Sequence, residues 1–181
     1  MTLRVLTLCT HNRTRSVLMG ALLESQLRVT GVDAAVRSAG TIADDQPATA
    51  TTVRLLAARG LDVSGHIGRL VTEDDVRHAE LIVAAEVAHV VHVAGRWPGS
   101  FDRVFTLPEL VARGEAAGPR RGRPLSEWLA LVGAGRHAGI DYLSDPTVLE
   151  VPDPTGYPPE VWQRSFAQID DLCTRLARLL A

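Results

Sequence analysis

The sequence predicts an α/β fold, a four-stranded parallel sheet with helices on both faces, and three observations predict it. Short apolar runs suited to strands alternate with stretches of helix formers from Leu3 to beyond Thr106. The first run, "LRVLTL" from Leu3 to Leu8, reads as a short buried strand that opens into a polar loop and then a helix. The length of 181 residues and the 46% hydrophobic content allow one core to form without disulfides or a structural metal.

The elements follow in order. Thr10 to Arg15 is the polar loop, and Ser16 to Leu27, "SVLMGALLESQL", is a helix of apolar and helix-forming residues. Ala34 to Ser38 is the second strand, closed by Gly40. Gln46 to Arg59 reads as a helix with Gly60 as its stop, and Glu73 to His78 as a short helix. Leu81 to Ala85 is the third strand, Glu86 to Ala94 the helix after it, and Arg103 to Thr106, "RVFT", the fourth strand, with a helix following. Three layers of a Rossmann-like kind result.

Trp97 to Leu149 carries weaker signals, with a helix at Leu125 to Val132. Within it "RGEAAGPRRGRP", Arg113 to Pro124, reads as a solvated loop. Its Arg120, Arg121 and Arg123 lack the interleaved aromatics of a nucleic-acid surface. Pro158 and Pro159 precede Glu160 as at a helix start. The stripe Val161, Phe166, Ile169, Leu172, Cys173, Leu176, Leu179 and Leu180 gives that helix an apolar face, so Cys173 is expected in the core.

A formal net charge of −2 supplies no general attraction to nucleic acid or an anionic membrane. No apolar run reaches the ~18 residues of a membrane span. Met1 to Leu8 is too short for a secretory signal and runs at once into His11, Arg13 and Arg15. The two cysteines, Cys9 and Cys173, stand in no metal-binding or redox spacing, and a reducing cytoplasm is the expected setting. All 19 basic residues are arginine, which with the abundant Ala, Val and Gly points to a GC-rich bacterial genome.

"LTLCTHNRTRS", Leu6 to Ser16, carries the chemistry. In an open parallel sheet ligands bind beyond the carboxyl ends of the strands, where Cys9 falls. The loop runs into a helix N-terminus, whose free N–H groups favour an anion and would favour the charged sulfur as well. A ring of loop amides can cradle a tetrahedral oxyanion. Arg15 offers a planar fork for two of its oxygens, and Ser16 a hydroxyl for the thiolate. Asn12 stands mid-loop, where its type tolerates a left-handed backbone. A nucleophile, a cradle and a clamp in one loop suit phosphoryl transfer to sulfur.

At these residues the chain resembles the low-molecular-weight protein tyrosine phosphatase family, which opens on a strand, Cys-x5-Arg-Ser and a helix. "SAGT" (Ser38 to Thr41), "LLAARGLDVSGHIGR" (Leu55 to Arg69), "AELIVAA" and "VPDPTG" (Val151 to Gly156) extend the likeness. It is good over residues 3–94 and 150–181 and poor between, implying a single domain over 1–181 with a divergent insert at about 95–149. The resemblance implies Cys9 as nucleophile, Arg15 as phosphate clamp, and Thr10, His11, Asn12, Arg13, Thr14 and Ser16 as the substrate-binding loop. Asp153 of the Asp-Pro pair before the last helix becomes the general acid. A second pair, Asp145-Pro146, lies farther from that helix. His66 is expected to brace the site.

The implied reaction is hydrolysis of a phosphate monoester, phosphotyrosine or a related aryl or small ester, through phosphocysteine. No metal or cofactor is implied. The implied partners are a phosphorylated protein or a small phosphate ester. Phosphate, vanadate and arsenate would inhibit, and neither nucleic acid nor membrane takes part. The chain departs from the family at His11, at Val17 where proline is usual, and at Thr155, where an aromatic normally flanks the substrate ring. The aromatic after "SAGT" is also missing, leaving Trp97, Trp128, Tyr142 and Tyr157 as possible substitutes. His11-Asn12 resembles arsenate reductases of this fold, so arsenate-thiol transfer to a mycothiol-type thiol is one alternative. A non-catalytic oxyanion-binding regulator is the other.

Overall fold

A computed structural model describes residues 2–42 and 45–181. Among these residues four strands form one parallel sheet: β1 (Leu3–Cys9), β2 (Ala34–Gly40), β3 (Leu81–Ala84) and β4 (Val104–Thr106), in the order β2-β1-β3-β4. β1 pairs from Leu3↔Ala34 to Cys9↔Gly40 on one side and from Val5↔Leu81 to Leu8↔Ala84 on the other. β4 continues the sheet from Ile82↔Val104 to Ala84↔Thr106.

Successive residues of the central strands feed opposite cores, as a pleated sheet covered on both faces requires. Leu3, Val5, Leu81, Val83 and Phe105 join α1 (Arg15–Val29), α5 (Leu107–Ala117), α6 (Leu125–Val132) and α8 (Pro159–Leu180) on one face. Leu6, Leu8, Ile82, Ala84 and Val104 join α3 (Glu73–His78), α4 (Val87–Arg96) and Tyr142 of α7 (Ile140–Leu143) on the other. Cys173 lies fully buried on α8, where burial pushes its thiol pKa up.

Among the boundaries that differ from the sequence reading, three bear on the site. α1 begins at Arg15, so the clamp is the helix's own first residue. Helix α2 spans only Ala50–Ala57 within the stretch expected from Gln46 to Arg59. The backbone of 46–48 is already engaged: the Gly68 N–H donates to the Gln46 carbonyl at 2.8 Å and the Ala48 N–H to the His66 carbonyl at 3.2 Å. Thr49 then starts the helix, its hydroxyl accepting from the Thr52 N–H. Glu86 precedes α4 rather than opening it, because its backbone is extended.

The expected solvated loop from Arg113 is helical as far as Ala117, where Gly118 at φ 83° ends α5. Beyond it, Arg121 and Arg123 are exposed. A buried knot orders the region that follows. Arg136 donates to Glu109 at 2.8 Å, lies 3.8 Å over the Phe105 ring, and shares Glu109 with the Tyr142 hydroxyl at 2.6 Å.

The topology has one consequence for function. The chain leaves β1 toward β2 on one side and reaches β3 on the other, so the order reverses at β1. The crevice beyond the carboxyl ends of β1 and β3 is where such sheets take ligands.

Candidate active site

Cys9 is the last residue of β1, at the carboxyl end of the sheet, and is 3% exposed. Residues 10–14 turn above it, with Asn12 left-handed at φ 55°. Three contacts hold Asn12 there. Its side-chain N–H donates to the Ser16 hydroxyl oxygen at 3.0 Å, its side-chain oxygen accepts from the Arg69 N–H at 3.2 Å, and its carbonyl accepts from His66 Nε2 at 2.7 Å. The Gly-x-Asp-x-Ser-x-His-x-x-Arg stretch is therefore a strap across the loop, and His66 braces it.

Gly40 explains the other half of that brace. A Cβ there would stand 2.5 Å from the Thr10 carbonyl oxygen and 3.0 Å from the Asn12 nitrogen, so only glycine lets β2 abut the loop. Beyond it the Thr41 N–H donates to the Cys9 carbonyl at 3.0 Å and the Ile42 N–H to the Thr10 carbonyl at 2.9 Å. Arg13 donates to the Pro47 carbonyl at 2.9 Å, and the buried Thr14 lies 3.4 Å from the Thr49 hydroxyl. His11 is exposed on the rim.

The Ser16 hydroxyl lies 3.0 Å from Cys9 Sγ. Because Ser16 Oγ accepts from the Asn12 amide, its own hydrogen is free for the sulfur. Thr14 supplies no side-chain cap to α1, and no acidic residue occupies the first turn. Its leading N–H groups thus stay open to an anion.

Arg15 is 2% exposed, and four residues hold its guanidinium. Nη1 donates to the Val151 carbonyl at 3.2 Å and pairs with Glu86 at 2.6 Å. Nη2 donates to Asp153 Oδ2 at 2.8 Å and to Thr10 Oγ1 at 3.4 Å. Its Nε is buried with no partner among the described residues. A buried guanidinium N–H without a partner is a donor that one oxygen of an anion could satisfy.

The two Asp-Pro pairs separate cleanly. Asp153 reaches Arg15 and fixes its own turn by accepting from the Thr155 N–H at 2.9 Å. Asp145 accepts from the Thr147 N–H and hydroxyl, which lower its pKa, and no bond joins it to the loop. Val151 ties the Asp153 segment down: its N–H donates to the Ala85 carbonyl at 2.8 Å.

Of the four candidate substitutes for the missing aromatics, Trp128 and Tyr142 are buried in the cores. Trp97 meets His92 edge-on at the end of α4. Tyr157 is 61% exposed, four residues past Asp153, on the same segment.

The sequence reading missed Glu86 and His89. The signal for Glu86 was its place directly after β3, beside the strand that carries Cys9. His89 is buried; its Nδ1 accepts from the Glu86 N–H at 3.1 Å and its Nε2 lies 3.1 Å from Thr10 Oγ1. Burial, then the charges of Arg15 and His92, lower its pKa to about 4 against the pull of Asp153. Among the described residues no group of three or more His, Cys, Asp or Glu could hold a metal ion.

Residues 4–118 match the family model described as low molecular weight phosphotyrosine protein phosphatase. The chain is 31% identical over 118 residues to the low molecular weight protein-tyrosine-phosphatase Etp of Escherichia coli strain K12, covering 65% of this chain and 77% of that one. It is 25% identical over 178 residues to a protein-arginine-phosphatase of Geobacillus stearothermophilus, covering 98% of this chain and 95% of that one. The crystal structure of a low molecular weight protein tyrosine phosphatase from T. tengcongensis aligns with a TM-score of 0.71 at 25% identity, covering 97% of each chain.

Proposed function

The chain belongs to the low molecular weight phosphotyrosine protein phosphatase family, a family of cysteine-based hydrolases, and from that premise we propose that it dephosphorylates a protein side chain through phosphocysteine at Cys9. The Cys9 thiolate attacks phosphorus, and the bond from phosphorus to the leaving atom breaks. Asp153 gives that atom a proton. Water then attacks the phosphocysteine, Asp153 takes its proton back, the S–P bond breaks, and phosphate leaves. Arg15 and the amides of 10–14 hold the equatorial oxygens through both steps.

The observation that carries this reading is the buried, unpartnered Nε of Arg15, on a guanidinium that also holds Asp153. The test is phosphate release from an aryl phosphate. The wild type is expected to release it in a vanadate-sensitive way and Cys9→Ser not at all. Release by the Cys9→Ser variant would end the proposal.

The leading substrate is a phosphotyrosine-type aryl ester, as the family's description indicates. One observation favours a second reading, phosphoarginine. No aromatic flanks Asp153, where Thr155 and Gly156 stand, while the carboxylates of Glu86 and Asp153 lie beside the clamp and suit a cationic leaving group. The relative that spans 98% of this chain is named a protein-arginine-phosphatase. Phosphotyrosyl and phosphoarginyl peptides of one sequence decide between them by kcat/KM. Arsenate reduction that appears only with a small thiol would favour arsenate-thiol transfer instead. The free Cys9 and Cys173 support a reducing cytoplasm as the place of action. No helix of the described residues is long and apolar enough to cross a membrane.

A further inference from the structure

We propose that His89 is a positioning residue that turns the Thr10 hydroxyl into a dedicated donor to the bound oxyanion. The inference rests on the phosphatase reading above and assigns two side chains that the reaction as written does not use. The hydrogen count carries it. The Glu86 N–H can only donate, so His89 Nδ1 is an acceptor and the neutral ring carries its hydrogen on Nε2. That hydrogen faces Thr10 Oγ1, which lies 3.1 Å from Nε2. The same oxygen accepts from Arg15 Nη2 at 3.4 Å. Both lone pairs of the hydroxyl are then taken, and no described side chain or carbonyl accepts its O–H hydrogen. That hydrogen is left for a ligand held by the guanidinium it touches.

The tautomer matters. A protonated ring would present a hydrogen at Nδ1 to the Glu86 N–H and lose that bond. Arg15 on α1 and His92 on α4 oppose the charge, whereas Asp153 favours it and Glu86 lies 3.6 Å from Nε2. Burial joins the first two, and the ring is neutral throughout the range where phosphate esters are turned over. His89 therefore aims a donor and neither takes nor gives a proton in the reaction.

The test is a double-mutant cycle read as the inhibition constant of vanadate, with kcat/KM across pH alongside. Thr10→Val removes the hydroxyl and keeps the loop amide. It is expected to weaken vanadate about 10- to 100-fold, the range for a hydrogen bond to a charged group. His89→Leu is expected to match that loss, and the double variant to lose no more than either alone. His89→Gln, which can still donate to Thr10, is expected to recover most of it, with a pH profile parallel to wild type between about pH 5 and 8. If His89→Leu does not fold, Thr10→Val and His89→Gln still decide. Unchanged vanadate affinity in Thr10→Val, losses that multiply in the double variant, or an inflection that disappears in His89→Gln would each overturn the proposal. An inactive wild type would instead remove the phosphatase reading beneath it.

Discussion

Arg15 shows how much a single side chain can organise. Burying a guanidinium costs several kcal/mol unless its charge and N–H groups are matched. Here Glu86 and Asp153 supply the charge, and Val151 and Thr10 supply further acceptors. Only Nε is left over, and it is the N–H that an anion would complete. The Asp153 carboxylate rests against this clamp while remaining 43% exposed, placed to meet a leaving group at the mouth. Asp153→Asn is accordingly expected to lower kcat by about 10²- to 10⁴-fold on an aryl phosphate, the range for general acid catalysis. Asp145→Asn is expected to leave kcat within about twofold, since surface changes away from a site seldom exceed ~0.5 kcal/mol. Steady-state kinetics on both variants checks the pair, and a reversed result would move the acid to Asp145. The sequence could narrow this choice only by distance from the last helix. The contact with Arg15 joins residues 138 positions apart, and no local pattern records it.

At the scale of elements, the loop's shape is set by its neighbours more than by its own residues. The end of β2 abuts it through Gly40, and the 66–69 strap holds Asn12 by His66 and Arg69. Gly40→Ala is predicted to push Thr10 and Asn12 outward. A misplacement of ~1 Å costs on the order of 10²-fold in kcat/KM, so a loss of about that size is expected, with the fold retained by circular dichroism. Wild-type kinetics in that variant would mean that β2 does not position the loop. β1, β3 and β4 were legible because their runs are apolar and almost wholly buried between two layers of helices. The start of α2 was not: Gln46 to Ala48 have helical neighbours in sequence, but the Gln46 carbonyl and the Ala48 N–H are taken by Gly68 and His66, and the Pro47 carbonyl by Arg13. Local propensity cannot see a partner about 20 residues away.

For the whole molecule, parallel topology and site are one fact. Four parallel strands bring their carboxyl ends to one edge of the sheet, so Cys9, Gly40 and the Ala85-Glu86 pair converge from three separate places in the sequence. Cys9, Arg15 and Ser16 could be read because one strand-loop-helix unit carries all three. Glu86 and His89 could not, because they arrive from β3 and α4. His89 also gives the molecule a pH signature. Its folded pKa of about 4 lies below the ordinary 6.5, so the unfolded chain binds more protons between these values. Its contribution is whole above pH 6.5 and is lost progressively as pH falls toward about 4. Denaturant titrations of wild type and His89→Gln should therefore show a stability gap that narrows across this window as the pH drops. A gap constant with pH would mean that the imidazole is not held neutral in the fold.

Turnover through Cys9 puts a covalent phosphoryl group on its sulfur, and rapid quenching during turnover of an aryl phosphate, followed by mass spectrometry of the digested chain, would capture it. One phosphoryl addition is expected on the peptide containing Cys9, matched by a stoichiometric burst of the phenol and absent from Cys9→Ser. A phosphoryl group found on another residue, or full turnover with Cys9 never modified, would contradict it.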